Sequence, residues 1–190
     1  MPIMSNLFLL FLWVAYLIYW WAKSSNLKAD ESRESNASRL VRLIVMLTGI
    51  VLLAFQNLPL SILDERFLPA GPFTSWAGVL CTAGGLGLSV WARHHLGRNW
   101  SQAVTLKADH QLIVSGPYSI VRHPIYCGLL TALLGTAIAL DKWRGLLAVL
   151  LVLGVLVYKL RLEERWMVAK FGATYEAYAR RVSALIPFLI

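Results

Sequence analysis

The feature that most constrains this chain is a series of five apolar runs, each close in length to what a lipid hydrocarbon layer demands. They cover residues 4–22, 40–60, 74–93, 124–140 and 143–160. A helix of about 20 apolar residues crosses roughly 30 Å of hydrocarbon. Lipid offers no water to backbone N–H and C=O groups, so a crossing segment is a helix or belongs to a closed barrel. These runs are continuously apolar and lack strict alternation, which excludes barrel strands. The expected fold is an all-α integral membrane protein with about five transmembrane helices and further amphipathic helices after the fifth. Composition agrees: 58% of the 190 residues are hydrophobic and 15% are charged, against about 45–50% and 25% in a soluble domain. Only Asp141 and Lys142 separate the last two runs, which predicts a tight antiparallel hairpin.

The first run has no basic segment before it, and Lys23 follows directly with no small-residue cleavage site. A retained span is expected rather than a removed signal peptide. The net charge of +8 could suggest nucleic acid, but the basic residues lie between and after the apolar runs and form no basic stripe. The expected partner is the lipid bilayer, with no nucleic acid. The first connector, the third connector and the tail hold fifteen of the eighteen Lys and Arg residues; only Arg66, Lys142 and Arg144 fall elsewhere. The positive-inside rule then puts the N-terminus outside and the C-terminus in the cytoplasm; the expected location is a bacterial or archaeal cytoplasmic membrane. Trp20, Trp21, Trp76, Trp91 and Trp143 fall near span ends, as an aromatic belt requires.

The chain divides at residue 93. Residues 1–93 hold three spans and a polar, Ser-rich linker at 23–38. Residues 94–190 hold a thirty-residue connector, the hairpin and the tail. Connectors that long in compact proteins are usually functional. Cys81 and Cys127 lie in apolar stretches without ligand spacing, and the adjacent His94 and His95 cannot share a helix face, so no metal site is expected. The tail is amphipathic: Phe171, Tyr175, Tyr178 and Val182 share one face, Glu176, Arg180 and Arg181 take the other, and Gly172 divides it into two pieces. Two readings are open, an interfacial helix with its aromatics among lipid headgroups or a helix folded back over a site.

Charged residues at span ends are the candidates for chemistry, because burying them is expensive. Pro124 suits the first position of a helix, which puts Arg122 and His123 at its N-terminal end. A guanidinium there can grip a carboxylate in a two-pronged way. Glu163 and Glu164 point about 100° apart on a helix, so they are not expected to face one ligand together. One could hold a cation while the other pairs with Arg161 or Arg165, or both could be surface ion pairs. Gly78, Gly84, Gly85 and Gly87 suit close helix packing; the alternative is a cofactor lying against Gly85-Leu86-Gly87.

The stretch HQLIVSGPYSIVRHPIYCG, residues 110–128, resembles the signature of the isoprenylcysteine carboxyl methyltransferase family through His110, Leu112, Gly116, Tyr118, Arg122, His123, Pro124 and Tyr126. The segment LGRNWS at 96–101 resembles the family's lead-in. A second matching block contains Glu163, Glu164, Phe171, Gly172, Tyr175, Tyr178 and Pro187. The resemblance spans residues 94–190. It implies a membrane methyltransferase using S-adenosylmethionine in a cytosolic pocket built from the third connector, the start of the fourth span and the C-terminal helices. It also implies that His110, Gln111 and Leu112 meet the adenine, and that Tyr118, His123, Tyr126 and Tyr175 line the pocket. Glu163 or Glu164 holds the cofactor's ribose or amino group, Arg122 binds an acceptor or cofactor carboxylate, and Asn99 and Trp100 lie toward the substrate. The implied catalytic set is Arg122, Glu163 and Glu164.

A carboxylate acceptor is ionised at neutral pH and needs a cation rather than a base; a thiol or amine acceptor needs its proton removed. Five spans favour a lipophilic acceptor that partitions into lipid, and the resemblance implies a prenylated one. Carboxyl O-methylation leads, ahead of phospholipid N-methylation and thiol S-methylation. A lipid-substrate reductase or a transporter is more remote, since transporters tend to carry polar residues mid-span.

Overall fold

The computed structural model describes residues 2–23, 36–54, 61–69, 71–97 and 112–187. Six α-helices occur among them: α1 (Pro2–Ala22), α2 (Asn36–Ala54), α3 (Pro72–Leu96), α4 (Pro124–Leu140), α5 (Trp143–Phe171) and α6 (Ala173–Ala179). Short 3-10 turns occupy Ser61–Asp64 and Gly116–Ser119. Three helices are long and apolar enough to cross a membrane: α1, α3 and α5. The apolar parts of the other two, Leu40–Ala54 and Pro124–Leu140, are shorter. The second span was expected to reach residue 60, but the described helix stops at Ala54 and residues 55–60 lie outside the description.

Helix boundaries follow local chemistry. Pro72 and Pro124 open α3 and α4, where a missing N–H leaves no bond unmade. The His123 carbonyl accepts the N–H groups of Tyr126 and Cys127. Asp141 ends α4 in the left-handed region at φ 54°, which a short polar side chain tolerates best after glycine. Its Oδ1 accepts the Leu68 N–H at 2.7 Å. Helix α5 runs unbroken past its apolar stretch, which ends at Leu160, through Arg161-Leu162-Glu163-Glu164 to Phe171. Gly172 at φ 50° then turns the chain into α6.

The centre of the bundle is the α3–α4 seam. A Cβ on Gly85 would lie 2.4 Å from the Ala132 nitrogen, and one on Gly78 would lie 2.5 Å from the Gly135 oxygen. Gly128 and Gly135 meet α3 equally closely. Small residues seven apart on both helices thus bring the backbones together, a recurrent device where lipid supplies no hydrophobic push. Gly84 and Gly87 face open space. Packing, not a cofactor, therefore occupies Gly85. Thr82 bonds across the seam to the Ala132 carbonyl at 3.2 Å and Thr136 at 3.3 Å.

Helix α1 lies parallel to α3, joined by Phe8–Trp76, Tyr16–Ser89 and Arg93 to the Lys23 carbonyl. Trp13 donates to Thr136 of α4. Helix α2 lies antiparallel to α5: Ser38 bonds Tyr158, Gly49 abuts Val152, and Arg144 donates to the Leu52 carbonyl. The five long helices therefore alternate in direction. The α4–α5 turn is the expected tight hairpin. It is locked by an Arg144–Asp64 ion pair at 2.8 Å and a Lys142 bond to the Asp64 carbonyl. That lock lies at the end opposite Glu163 and Glu164.

Candidate active site

The start of α4 and the polar end of α5 meet at one end of the bundle, with α6 folded back against them. Arg122 Nε donates to Glu164 Oε1 at 2.7 Å. The His123 ring stands between both glutamates, Nε2 3.3 Å from Glu164 Oε1 and Nδ1 3.6 Å from Glu163 Oε2. It stacks on Tyr126 with centroids 5.5 Å apart and planes 4° from parallel. The Tyr126 hydroxyl donates to Glu163 Oε1 at 2.6 Å. Lys159 lies 3.8 Å from the same oxygen and over the Tyr126 ring. One imidazole presents a nitrogen on each edge, so two glutamates about 100° apart both reach it. The expected pairing of one glutamate with Arg161 or Arg165 is corrected: Glu164 pairs with Arg122, and Glu163 lies beside Lys159.

Arg122 differs from expectation too. Its Nη1 donates to the Ala179 carbonyl at 2.8 Å and the Val182 carbonyl at 2.5 Å. The Ala179 carbonyl is the last of α6, where a cation is favourable. With Nε on Glu164, only Nη2 lacks a partner among the described residues. A two-pronged grip on a further carboxylate would displace a bond, so the available contact is end-on.

The same segments are joined by backbone. Arg122 N–H donates to Ser183 and His123 N–H to Ala184, at 2.8 and 3.0 Å, beside a parallel bridge between Val121 and Ser183. Tyr178 donates to the Tyr118 carbonyl at 2.5 Å. Tyr175 is 3% exposed. Of the two readings of the tail, the folded-back helix is the one observed.

Electrostatics follow from this packing. Burial alone would raise the Glu164 carboxyl, but hydrogen bonds from His123 and Arg122, with their charge, outweigh it and hold the group down to about 2. Burial pushes the Tyr178 hydroxyl up to about 12, with Arg122 opposing and Glu164 adding. It pushes Tyr118 and Tyr175 up as well. These phenols stay protonated as donors.

The structure thus brings together Arg122, His123, Tyr126, Glu163, Glu164, Tyr118 and Tyr175. Leu112 is half-buried at the start of the described connector. His110, Gln111, Asn99 and Trp100 lie outside the described residues. Sequence reasoning missed Lys159, whose signal was its place four residues before Glu163, and the role of Tyr178 as a latch. No group of three potential metal ligands occurs among the described residues.

Residues 73–174 match the profile of the family described as phospholipid methyltransferase. The chain is 35% identical over 119 residues to the protein-S-isoprenylcysteine O-methyltransferase of Schizosaccharomyces pombe, covering 61% of this chain and 50% of that one. It is 44% identical over 72 residues to methanethiol S-methyltransferase 2 of Bradyrhizobium diazoefficiens, 38% of this chain and 27% of that one. The solved structure of a eukaryotic intramembrane Ras methyltransferase, isoprenylcysteine carboxyl methyltransferase, shares the fold. Its TM-score is 0.54 at 22% identity, covering 80% of this chain and 52% of that one. The chain spans about half the length of the protein-S-isoprenylcysteine O-methyltransferase and of the solved structure it matches.

Proposed function

The chain belongs to the phospholipid methyltransferase family, and on that premise we propose that it is an S-adenosylmethionine-dependent methyltransferase acting at the membrane by carboxyl O-methylation of a lipophilic, isoprenylcysteine-like acceptor. The observation that carries this reading is the convergence of Arg122, His123, Tyr126, Glu163 and Glu164 at one end of a bundle of apolar helices. A soluble acceptor would not need that setting; a greasy one enters from the side.

The donor set fits the proposed cofactor. S-adenosylmethionine carries an ammonium and ribose hydroxyls that can donate to carboxylates, a carboxylate that Arg122 Nη2 can meet, and a sulfonium whose positive charge aromatic faces favour. When bound it supplies an electrophilic methyl group. The protein's part is alignment and exclusion of water. Glu164 is fixed by Arg122 and His123, and Glu163 by Tyr126, Lys159 and His123, so both carboxylates are oriented before any ligand arrives. Helix α6, latched through Tyr178 and Arg122, shields the site. His110, Gln111 and Leu112 are assigned to the adenine end, Tyr118 and Tyr175 to the wall, and Asn99 and Trp100 to the acceptor side. We place this end of the bundle in the cytoplasm, on the bias of Lys and Arg.

A thiol acceptor is the second reading, favoured by the likeness to a methanethiol S-methyltransferase and by the Tyr126–Glu163 contact at 2.6 Å, a route for a thiol proton. The two differ in pH dependence. A carboxylate acceptor needs no base, so its rate stays level from pH 6 to 8, whereas a thiol reaction rises with pH.

The deciding experiment is calorimetric titration of S-adenosylmethionine and its demethylated product into detergent-purified protein, with Glu164→Ala and His123→Ala alongside. Micromolar binding lost in both variants is expected. Folded wild-type protein that binds neither ligand removes the methyltransferase reading.

A further inference from the structure

His95, the penultimate residue of α3, is exposed and stands apart from the Arg122–Glu164 cluster. Its Nε2 lies 2.9 Å from Ser115 Oγ, and its ring stacks on Tyr118 at 6.4 Å between centroids and 25° between planes. The same ring fills the space beside Gly116, where a Cβ would fall 2.8–3.0 Å from three of its atoms. Gly116 is a glycine because of its φ of 59°, and the exposed His95 imidazole packs directly against it. Three residues of the turn, Ser115, Gly116 and Tyr118, thus contact one side chain.

That turn is not peripheral. It links the described part of the connector, from Leu112, to Arg122 and His123. Its Tyr118 carbonyl receives the Tyr178 hydroxyl, which latches α6, and its Tyr118 hydroxyl reaches the Ala92 carbonyl of α3 at 3.4 Å. The fixed end of this system is α3, held in the seam with α4. The geometry points to His95 as a positioning residue: by hydrogen bond and stacking it clamps the Ser115–Tyr118 turn to α3, and so sets the chain between Leu112 and His123 that the proposed methyl donor meets. This rests on the methyltransferase reading for its ligand, but not for the clamp. His95 touches no reacting atom in this scheme. Its loss should weaken donor binding while the helical bundle stays intact.

Two substitutions separate its two contacts. His95→Phe keeps the stack and loses the hydrogen bond; His95→Gln keeps a donor and acceptor near Ser115 and loses the stack. Ser115→Ala removes the bond from the other side. Binding of S-adenosylhomocysteine to the protein in detergent is measured by calorimetry, beside thermal unfolding and hydrogen–deuterium exchange of the Gly116, Tyr118, Ser119 and Ile120 amides. Each single variant is expected to weaken binding 3–10-fold with the unfolding midpoint nearly unchanged. The His95→Phe/Ser115→Ala double variant should bind no more weakly than the weaker single, because both remove one bond. Turn amides should exchange faster in all of them. Wild-type binding in His95→Phe and His95→Gln overturns the proposal, as does a loss of binding that merely tracks a fall in the midpoint. If the wild-type protein binds no donor analogue, the methyltransferase reading fails on its own. Exchange then decides the clamp, faster turn exchange in the His95 variants supporting it and unchanged exchange overturning it.

Discussion

Glu164 is held between the Arg122 guanidinium and the His123 ring, and that placement has a pH consequence. Its carboxyl lies near 2 in the folded protein, below the ordinary value of about 4.3 for an unfolded chain. A depressed carboxyl contributes stability that is complete above the unfolded value and is lost as pH falls toward the folded one. The unfolding midpoint of the wild-type protein is therefore expected to drop between about pH 4.5 and 2. Glu164→Gln should start lower at pH 7 and lack that extra slope; parallel curves from pH 6 to 3 would count against the assignment. Tyr126→Phe keeps the stack on His123 and removes only the donor to Glu163. It should cost about 1 kcal/mol of stability and about tenfold in turnover, because Glu163 then keeps only Lys159 and His123 to orient it. Equal turnover of the two proteins would take Tyr126 out of the site. At this scale much of the site was legible in sequence: Arg122-His123-Pro124 and Glu163-Glu164 are the residues that meet. What was not legible was who pairs with whom. Arg161 and Arg165 are nearer in sequence to the glutamates than Arg122, yet they point to exposed faces while the α4–α5 hairpin brings Arg122 across.

Among the elements, α3 and α4 depend on each other most. Their backbones touch at Gly78, Gly85, Gly128 and Gly135, and no side chain there can move aside for an added methyl group. Gly85→Ala should thus cost about 1–3 kcal/mol or more and give protein that loses its fold in mild detergent. Gly84→Ala, one residue away and facing open space, should be neutral or gain up to about 1 kcal/mol from helix propensity. Thermal unfolding of the two variants in the same detergent checks this, and equal behaviour would remove the seam. Sequence showed that α3 is rich in glycine but not which glycines face α4. The choice depends on the rotation of one helix against its partner, set by Gly128 and Gly135 some fifty residues later. The course of α5 was more legible: hydropathy ends at Leu160, but the helical pattern continues to the break at Gly172, and this polar continuation carries the two glutamates. The tail's amphipathic pattern fitted either a lipid surface or a protein face. Only the Tyr178 and Arg122 contacts distinguish them.

For the molecule as a whole, the alternation of five helices gives the two ends of the bundle different chemistry. One end gathers Arg122, His123, Glu163, Glu164 and the termini of α1 and α3, joined by Arg93. The other is closed by Asp64, Asp141 and Arg144. The second end carries only three of the eighteen Lys and Arg residues in its connectors. A bias of that size sets orientation strongly, so the site end is expected to face the cytoplasm. Ser119 and Ile62 are exposed at opposite ends, Ile62 at 75%, and suit single-cysteine labelling in a Cys81→Ala/Cys127→Ala background. In intact cells a membrane-impermeant maleimide should label Ile62→Cys and spare Ser119→Cys; in inverted vesicles the pattern should reverse. Labelling of both from one side would mean that the bundle does not span the bilayer with these ends apart. The reversed pattern would put the site outside the cell, away from the supply of any cytosolic methyl donor. It would thereby remove the cofactor assignment together with the orientation, since a donor made in the cytosol can reach Glu163 and Glu164 only if that end of the bundle opens there.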